Sequence, residues 1–587
     1  MNKMKTRIFP QTMAAVFFLI AAGLYTATAA PSCYDVIPQP RKITADSKAA
    51  PFVLSDAAVI LFQENSGEDM ARNAGFLSEY IEKYTGIGLD VRSSADPAGN
   101  VSGNIVLMLD PGADIPAEGY VMDISSDGVL VKGATPAGVF YGIQTLRKSL
   151  PGAERGEGGI LLPAACIKDS PRFGYRGAHF DICRHFFTVD EVKEYIDMMA
   201  LHNMNTLHWH ITDDQGWRVE MKRYPELVEK GSVREETLVG HLNDRPEKYD
   251  GKPYGGWYTQ EQVREVVKYA ADRYINVIPE VDLPGHMQAA LCAYPELGCT
   301  GGPYKVWTKW GVSEDVLCAG NDEVLDFLDG VFTEIMELFP SEYIHIGGDE
   351  CPKTRWEQCP KCQAKAAELS LEDDASSTRE QKLQSYVMKH VASFLQSHGR
   401  KVIGWDEILE GDAADGAVVM SWRGEAGGIK AAKLGHDVIM TPNTYLYFDY
   451  YQGKDTSKEP LSIGGYIPLR SVYYYDPVPS SLSRKEARHI LGLQANLWTE
   501  YIGTFPHAQY MVLPRWAALA ENQWAYPAVK DYKKFLDRLE NLIAIYDSEG
   551  WNYAKHVFEV TSVIRPDFTG NAISVSYETM GDAPIHY

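Results

Sequence analysis

The sequence predicts an α/β protein: a (β/α)8 TIM barrel preceded by a small α+β domain and followed by a short C-terminal β segment. Three observations support this prediction. From about Pro171 onwards, eight short apolar runs alternate mostly with helical patterns, which is typical of a barrel. Polar or aromatic residues end these runs, and a barrel brings such strand ends to one rim. Before Pro171, short strand-like and helical stretches are mixed.

The composition bounds the size and the class of the protein. The chain has 587 residues, which is too long for one ordinary core and predicts two or three domains. Hydrophobic residues make up 45% of it, which excludes wholesale disorder. Because 79 Asp and Glu outnumber 56 Lys and Arg, the net charge is −23. This acidic balance argues against a nucleic-acid binder, which needs a basic face.

The first 30 residues have the pattern of a secretory signal peptide. Lys3, Lys5 and Arg7 precede an apolar run over 13–24, and residues 27–29 offer an A-x-A cleavage site. About a dozen apolar residues cannot cross the roughly 30 Å of hydrocarbon in a membrane. Residues 1–30 therefore predict export to the periplasm, the cell surface or the medium, with no membrane span.

Residues 31–165 are predicted to form the small α+β domain. Strands are expected over 105–108 and 128–131, because these runs are rich in β-branched and aliphatic residues. Helices are expected over 70–84 and from Pro136 through Leu146, where apolar residues recur at helical spacing. The Gly- and Glu-rich stretch 151–159 is expected to be an exposed turn or linker.

Residues 168–526 are predicted to form the barrel. The eight expected strands are 175–183, 206–212, 276–282, 343–350, 401–407, 417–422, 437–442 and 490–498. At roughly 360 residues the segment exceeds the usual length of about 250, so several loops are expected to carry insertions.

Residues 527–587 predict a helix followed by the beginning of a β module. The helix contains Phe535, Leu536 and Leu539, and strands are expected over 557–560 and 573–577. A β domain of under about 40 residues cannot easily bury a core, so the module is expected to be cut short by the end of the sequence.

Two adjacent carboxylates form the most informative motif, Gly347-Gly348-Asp349-Glu350. On a regular strand, neighbouring side chains point to opposite faces, but the two glycines permit an irregular backbone that brings both carboxylates into one pocket. Such a pair is expected to have one pKa raised, so that one carboxyl group stays protonated as an acid while the other stays ionised.

Polar and aromatic residues at the other strand ends predict a sugar pocket. Three of the predicted strands have a tryptophan at or near their C-terminal end: Trp405, Trp422 and Trp498. One such residue is usually packing, but three on one rim indicate walls around a sugar, whose C–H faces stack on indole. Asp449 and Glu500 are expected to accept hydrogen bonds from hydroxyl groups, and Arg184 to donate them.

A metal site is the competing interpretation of the same rim. His208 and His210 in an H-x-H pattern, with His286 and Asp349 further on, resemble a zinc ligand set. No Lys or His occupies the later strand ends in a ligand pattern, which favours a metal-free site without a cofactor. His286 is then expected to couple a carboxylate to the proton of the acid.

The nine cysteines are an odd number, so at least one is free or pairs with another chain. Cys292 and Cys299 are close enough in sequence to bridge, as are pairs among Cys351, Cys359 and Cys362. For an exported chain, the C-x-x-C of Cys359 and Cys362 favours a loop disulfide over zinc, since no fourth ligand appears at regular spacing.

Several motifs in order resemble those of the bacterial β-N-acetylhexosaminidases of glycoside hydrolase family 20. They are Asp181-Ile182-Cys183-Arg184-His185-Phe186, the run 208–217, Pro279 to His286, His345 to Glu350, Gly404 to Glu407, and Leu497 to Glu500. The resemblance covers the small domain and the barrel to about Trp524, and the C-terminal strands resemble the start of an appended β-sandwich.

The resemblance implies an exo-acting enzyme that hydrolyses terminal β-GlcNAc or β-GalNAc by substrate-assisted retaining catalysis. Glu350 would be the general acid and base, Asp349 would hold the acetamido N–H, and Tyr447 would bond the acetamido oxygen that acts as nucleophile. Asp213 and His286 would tune Glu350. The sugar and its hydroxyl groups would be held by Trp405, Trp422, Trp498, Arg184, Asp449 and Glu500.

Two departures and two alternatives accompany this resemblance. Cys183 stands where many relatives have Ser and is expected to be a buried spectator, and Tyr450 makes binding of anionic sugars at that position doubtful. The alternatives are a lacto-N-biosidase-like enzyme that releases a disaccharide and a non-catalytic glycan-binding protein. The partner expected in each case is a glycan; the oligomeric state is not readable from the sequence.

Overall fold

The computed structural model describes residues 33–558, 560–567 and 572–578. The predicted signal peptide, residues 1–30, lies outside these ranges. The first ten strands are β1 Lys42–Ala45, β2 Phe52–Leu54, β3 Val59–Gln63, β4 Asp90–Ser94, β5 Ile105–Leu109, β6 Tyr120–Ser125, β7 Gly128–Gly133, β8 Glu154–Gly156, β9 Gly159–Leu162 and β10 Ala165–Asp169. Two helices accompany them, α1 Glu68–Thr85 and α2 Pro136–Ser149.

A mixed seven-stranded sheet organises this first region, in the order β1-β10-β6-β7-β5-β3-β4. Both helices pack against the sheet and against each other. Thr135 begins α2 because its hydroxyl accepts a hydrogen bond from the amide of Gly138 at 3.3 Å and Pro136 occupies the first turn. The stretch 151–159 is not a plain linker: β8 and β9 form a hairpin that pairs with β2.

Eight parallel strands then close into a barrel, which confirms the predicted fold class. They are β11 Tyr175–Asp181, β12 Thr206–Asp213, β18 Asn276–Leu283, β19 Tyr343–Gly347, β20 Lys401–Trp405, β21 Val418–Ser421, β22 Val438–Met440 and β23 Ile490–Ala495. Pairing of β11 with both β12 and β23 closes the ring. Five short strands lie in the insertion between β12 and β18: β13 Gly216–Trp217, β14 Val233–Arg234, β15 Leu238–Val239, β16 Lys248–Tyr249 and β17 Tyr254–Gly255.

Helices separate the strands of the barrel. They are α3 Val189–Leu201, α4 Glu226–Glu229, α5 Gln260–Ala271, α6 Gln288–Ala293, α7 Asp322–Leu338, α8 Thr354–Gln358, α9 Pro360–Glu368, α10 Arg379–Ser397, α11 Ala426–Leu434, α12 Asn443–Leu446, α13 Leu469–Tyr474, α14 Phe505–Val512 and α15 Arg515–Trp524. Thr188, Thr259 and Thr378 begin α3, α5 and α10 with reciprocal capping bonds to a Glu or Gln three residues later.

Contacts between the first region and the barrel are charged and buried. Arg176 on β11 is fully buried, and its guanidinium contacts Glu118 at 2.7 Å and the Tyr141 hydroxyl at 2.8 Å. The indole N–H of Trp524 donates to Asp169 at 2.9 Å. These bonds join the small domain to the end of the barrel where the strands have their N-termini.

The C-terminal segment contains α16 Tyr532–Glu549 and an antiparallel pair, β24 Thr561–Asp567 with β25 Ala572–Glu578. The prediction of a strand over 557–560 was wrong, because the next strand begins only at Thr561. Residues Lys555–Phe558 form a 3-10 turn instead, because the preceding amide of Ala554 is bonded to Leu513 and holds the chain against the barrel. None of the helices in the described ranges is long and apolar enough to cross a membrane.

Candidate active site

The residues predicted to carry the chemistry lie around one end of the barrel, where the parallel strands have their C-termini. Asp213 and Trp405 are the last residues of β12 and β20, and Trp422 directly follows β21. The others lie a few residues beyond a strand or on the loop that follows it: Arg184 after β11, His286 after β18, Asp349 and Glu350 after β19, Tyr447 and Asp449 after β22, and Trp498 and Glu500 after β23.

An irregular backbone carries the carboxylate pair, as the two glycines predict. The φ angles of Gly347, Gly348 and Glu350 are 62°, 101° and 44°, all in the region that favours glycine. A Cβ atom on Gly347 would lie 1.6 Å from Oδ1 of Asp282, so no other residue fits there. This path gives the two carboxylates different surroundings: Asp349 is 8% exposed, whereas the Glu350 side chain is 44% exposed.

Asp349 forms a buried pair with Asp282, a residue for which the sequence predicted a position at the rim but no role. Burial, together with the neighbouring Asp282 carboxylate, raises the pKa of Asp349 well above its usual range. Burial likewise raises the pKa of Asp282, which hydrogen-bonds Asp349 and accepts the amide of Gly348 at 3.1 Å. We conclude that the pair shares one proton. Oδ1 of Asp349 is buried and has no hydrogen-bond partner among the described residues.

Glu350 belongs to a chain of titratable groups that ends at Asp213. Nε2 of His286 lies 3.7 Å from Glu350, and its Nδ1 lies 3.3 Å from Asp213 and 3.4 Å from Asp214. Burial opposes a charge on His286, but Asp213 outweighs it and raises the imidazole pKa well above its usual range. The arrangement links the exposed carboxylate to a buried carboxylate through one imidazolium.

The pKa shifts reverse the expectation that the acid of the pair has the raised value. The neighbouring His286 imidazolium lowers the pKa of Glu350, while the raised pKa belongs to Asp349. The reason is that Glu350 is open to solvent beside a cation, whereas Asp349 is buried beside another carboxyl group.

Arg184 is held rigidly in the wall of the site. Its guanidinium contacts Asp213 at 2.9 Å and Asp181 at 3.2 Å, and its Nε donates to Gln215 at 3.0 Å. The guanidinium carbon also lies 5.0 Å from the ring centroid of Trp498. No role was predicted for Asp181 or Gln215, although both lie inside the motifs that contain Arg184 and Asp213.

The predicted aromatic residues form contiguous walls. Trp498 lies between two of them, with ring centroids 5.9 Å from Trp405 and 6.4 Å from Tyr447, and Tyr447 stacks on Trp422 at 6.0 Å. Tyr447 is fixed in place because the residues on either side of it, Leu446 and Phe448, exchange backbone hydrogen bonds with Asn496 beyond β23.

Two glutamates that sequence reasoning missed, one buried and one partly buried, orient the tryptophan rings. The indole N–H of Trp405 donates to Glu280 at 2.7 Å, and that of Trp422 donates to Glu407 at 2.8 Å. Burial and the nearby Asp349 raise the pKa of Glu407 to about 9. Glu280 and Glu407 both lie in motifs named in the sequence analysis. The roles predicted for those motifs had been given to His286 and Trp405 instead.

Asp449 and Glu500 lie on the side of the site occupied by Arg184. Asp449 is 5% exposed, and its Oδ1 has no hydrogen-bond partner within the described part of the chain. Burial and the proximity of Glu500 raise the pKa of Asp449 well above its usual range. A buried acceptor without a partner next to a buried cation is a site for a hydroxyl group.

The histidines considered as zinc ligands are engaged with carboxylates. His210 bridges Glu280 at 2.5 Å and Asp213 at 2.8 Å, so neither of its ring nitrogens offers a free lone pair. Burial opposes protonation of His210, but the two carboxylates outweigh it and raise its pKa to about 10. His208 contacts the same Glu280 at 3.1 Å. Cys183 is buried, with its thiol directed to the carbonyl of His210.

Comparisons with known proteins identify the family to which this chain is similar. The model described as glycosyl hydrolase family 20, catalytic domain, matches residues 173–527, and the one described as domain 2 of that family matches 33–170. A β-hexosaminidase of Porphyromonas gingivalis is 44% identical over 524 residues; the match covers 88% of this chain but 64% of that relative, less than two thirds of its length.

Solved structures match over most of the chain. A GH20 β-N-acetylhexosaminidase from Streptomyces coelicolor A3(2) aligns with a TM-score of 0.75 and 32% identity, covering 89% of this chain and 98% of that chain. A chitobiase of Flavobacterium johnsoniae aligns with a TM-score of 0.74 and 29% identity, covering 90% and 75% respectively.

Proposed function

The chain belongs to glycoside hydrolase family 20, and from this premise we propose that it is an exo-acting β-N-acetylhexosaminidase that releases terminal β-GlcNAc or β-GalNAc. The observation that carries the proposal is the difference between its two adjacent carboxylates. Asp349 is buried with an acceptor atom that lacks a partner, while Glu350 is exposed and coupled to His286. One group is suited to hold a substrate amide, and the other to exchange a proton with the solvent-facing leaving group.

The reaction follows from these two positions. Oδ1 of Asp349 accepts the N–H of the 2-acetamido group, and the Tyr447 hydroxyl bonds its carbonyl oxygen, so that this oxygen is aimed at the anomeric carbon. Attack forms a bond from that oxygen to the carbon, breaks the glycosidic bond and moves the proton of Glu350 to the departing oxygen. Glu350 then removes a proton from water, which opens the oxazolinium ring and restores the β-anomer.

Substrate binding must reprotonate Glu350 before this step. In the open site the pKa of Glu350 is lowered by His286. A sugar seated against the aromatic walls expels water from around the carboxylate, and desolvation raises the pKa of a carboxyl group. The His286 imidazolium, 3.7 Å away, is the nearest group that can share its proton with Glu350.

Removing the charge of His286 is expected to move the pH dependence of the reaction. Because a general acid works only while protonated, kcat/KM falls as pH rises through the pKa of Glu350 in the free enzyme. His286 lowers that pKa, so a neutral replacement raises it and moves the alkaline limb to higher pH. We choose His286→Asn, since His286 has a φ of 54° and Asn tolerates this region.

The measurement is the normalised pH profile of kcat/KM for both proteins. His398→Asn is the control, because His398 is exposed at the end of α10 and does not contact Glu350. A profile of His286→Asn that coincides with the unmodified one would show that His286 does not set the pKa of Glu350.

The proposed function is tested by comparing hydrolysis of an aryl β-GlcNAc, an aryl β-glucoside and an aryl lacto-N-bioside. Turnover confined to the acetamido monosaccharide is expected, because the glucoside lacks the internal nucleophile. Equal turnover of GlcNAc and glucose would contradict the roles of Asp349 and Tyr447. Turnover of the disaccharide alone would identify a lacto-N-biosidase-like enzyme, and sugar binding without any turnover would identify a glycan-binding protein.

We further propose that this bacterial-type enzyme is exported, to the periplasm, the cell surface or the medium. The support is the sequence pattern of residues 1–30, with basic residues, a short apolar run and an A-x-A site. The glycan partner would then be met outside the cytoplasm. Mass spectrometry of the N-terminus of the natural protein tests this: a mature chain beginning near residue 30 supports export, and an intact Met1 contradicts it.

A further inference from the structure

A cluster of four cysteines lies outside the proposed active site. All nine cysteines fall within the described residues and none of them is bridged in the structure, neither the expected pair Cys359 and Cys362 nor Cys292 and Cys299, which are close enough in sequence to bridge. Instead, the sulfur atoms of Cys299, Cys318, Cys359 and Cys362 all lie within 4.8 Å of one another. Three of these four residues are buried and Cys299 is partly buried.

The distances within the cluster are those of a coordination tetrahedron. The sulfur of Cys318 lies 3.6 Å from that of Cys362 and 3.7 Å from that of Cys359, and the sulfurs of Cys299 and Cys362 are 3.8 Å apart. Four sulfurs at about 2.3 Å from a central zinc ion have edges of about 3.8 Å. Bonded sulfurs would be only about 2.05 Å apart and would associate in pairs, whereas here the four sulfurs form one group within 4.8 Å, and the three separations given above are 3.6 to 3.8 Å.

The backbone of Gly320 lies directly against the cluster. The backbone of Gly320 hydrogen-bonds the thiols of both Cys318 and Cys362. A Cβ atom on Gly320 would lie 2.2 Å from the carbonyl carbon of Lys361, so only glycine permits the two chain segments to approach this closely. Amides directed at sulfur stabilise thiolates, which are the form that binds metal.

We propose that Cys299, Cys318, Cys359 and Cys362 bind one Zn²⁺ ion in a structural tetrathiolate site. Tetrahedral coordination by four sulfurs is typical of zinc or of a single iron, and a closed set of four leaves no open position for water or substrate. The ion therefore takes no part in sugar hydrolysis. The site could not be predicted from the sequence because the four ligands come from three separate segments. Only Cys359 and Cys362 have a recognisable spacing.

The site joins two loops at the rim of the barrel. Cys299 and Cys318 lie in the insertion after β18, and Cys359 and Cys362 lie at the start of α9, shortly after Glu350. The same two segments are also joined by a bond from the Trp356 indole to the carbonyl of Leu317 at 2.9 Å and by an ion pair of Arg355 with Asp315 at 2.7 Å. The zinc ion would fasten the chain that carries Glu350 to the neighbouring loop.

Elemental analysis of the full-length protein, purified without added metal or chelator, tests the proposal directly. One zinc per chain is expected, together with a mass that corresponds to reduced cysteines. Zinc-free protein whose mass is lower by two hydrogen atoms per bridge would establish disulfides and overturn the proposal. Four reduced thiols that neither carry zinc nor take it up from solution would overturn it as well, and so would iron in place of zinc.

Variants and a spectroscopic probe locate the ion. Cys318→Ser with Cys362→Ser is expected to lose the zinc and to have a lower Tm, while Cys292→Ser, whose thiol is not in the cluster, keeps both. Exchange of the natural protein with Co²⁺ is expected to give the visible bands of tetrahedral cobalt and sulfur-to-cobalt charge transfer. Zinc retained by the double variant, or a cobalt spectrum without thiolate bands, would contradict the assignment even where a variant folds poorly. These readouts do not depend on the proposed hydrolase activity.

Discussion

Replacing Glu350 by Gln is expected to lower kcat for a β-GlcNAc substrate with an alkyl or sugar leaving group by about 10²- to 10⁴-fold, the contribution of a positioned general acid. Gln has nearly the same shape and keeps a polar group facing His286, but it cannot give a proton to the departing oxygen. The 44% exposed side chain packs against little, so the fold should tolerate the change.

A comparison of leaving groups separates loss of the acid from general damage. An activated aryl group departs with little help from a proton, so its bond cleavage should suffer much less than that of an alkyl glycoside. Glu357→Gln is the matched control, because Glu357 is an exposed glutamate on α8, seven residues further along the same segment. Equal losses for both leaving groups would contradict the assignment of Glu350 as the acid.

Replacing Asp349 by Ala is expected to lower kcat for aryl β-GlcNAc by at least about 10²- to 10³-fold, the usual effect of removing one preorganised electrostatic partner. The acetamido group would lose the acceptor that orients it and that balances the positive charge of the oxazolinium. Because this group supplies the nucleophile, even an activated leaving group should not rescue the variant, in contrast to Glu350→Gln.

The measurement for Asp349→Ala uses the same two leaving groups and adds the Tm. Asp349→Ala removes a buried carboxyl group and also the hydrogen bond that it makes with Asp282, and because these two effects oppose each other the Tm is expected to change little. Asp415→Ala, at an exposed loop position, is the control for the substitution itself. Near-normal turnover by Asp349→Ala would refute the substrate-assisted mechanism.

Strands and helices with strong local patterns could be predicted from the sequence, whereas elements that depend on distant partners could not. All eight barrel strands were expected within a few residues of their bounds, because each is a buried apolar run that ends in polar residues. The hairpin β8–β9 was missed because a stretch rich in Gly and Glu becomes a strand only by pairing with β2, about a hundred residues earlier. The strand expected over 557–560 failed because docking onto Leu513 decides that conformation.

The same distinction applies to the site. Residues inside recognisable motifs were expected at the rim, and the structure brings them together there. What the sequence lacked was the pairing across strands: Asp282 beside Asp349, Glu280 below Trp405, and Glu407 beside Trp422. These pairings decide which carboxyl group is protonated, and for that reason the pKa order of Asp349 and Glu350 could not be predicted. The four-cysteine cluster is a similar case, since its members come from segments up to 63 residues apart.

The left-handed backbone conformation of Glu350 lowers the stability of the fold at a position where the proposed reaction needs a carboxyl group. A residue with a side chain is disfavoured at a φ of 44°, at a cost of about 1–3 kcal/mol, and glycine would relieve it. Selection for stability alone would therefore favour glycine at this position, and the side chain proposed to transfer the proton would be lost. A glutamate at this strained position is therefore a sign that natural selection has acted on what the protein does as well as on whether it folds.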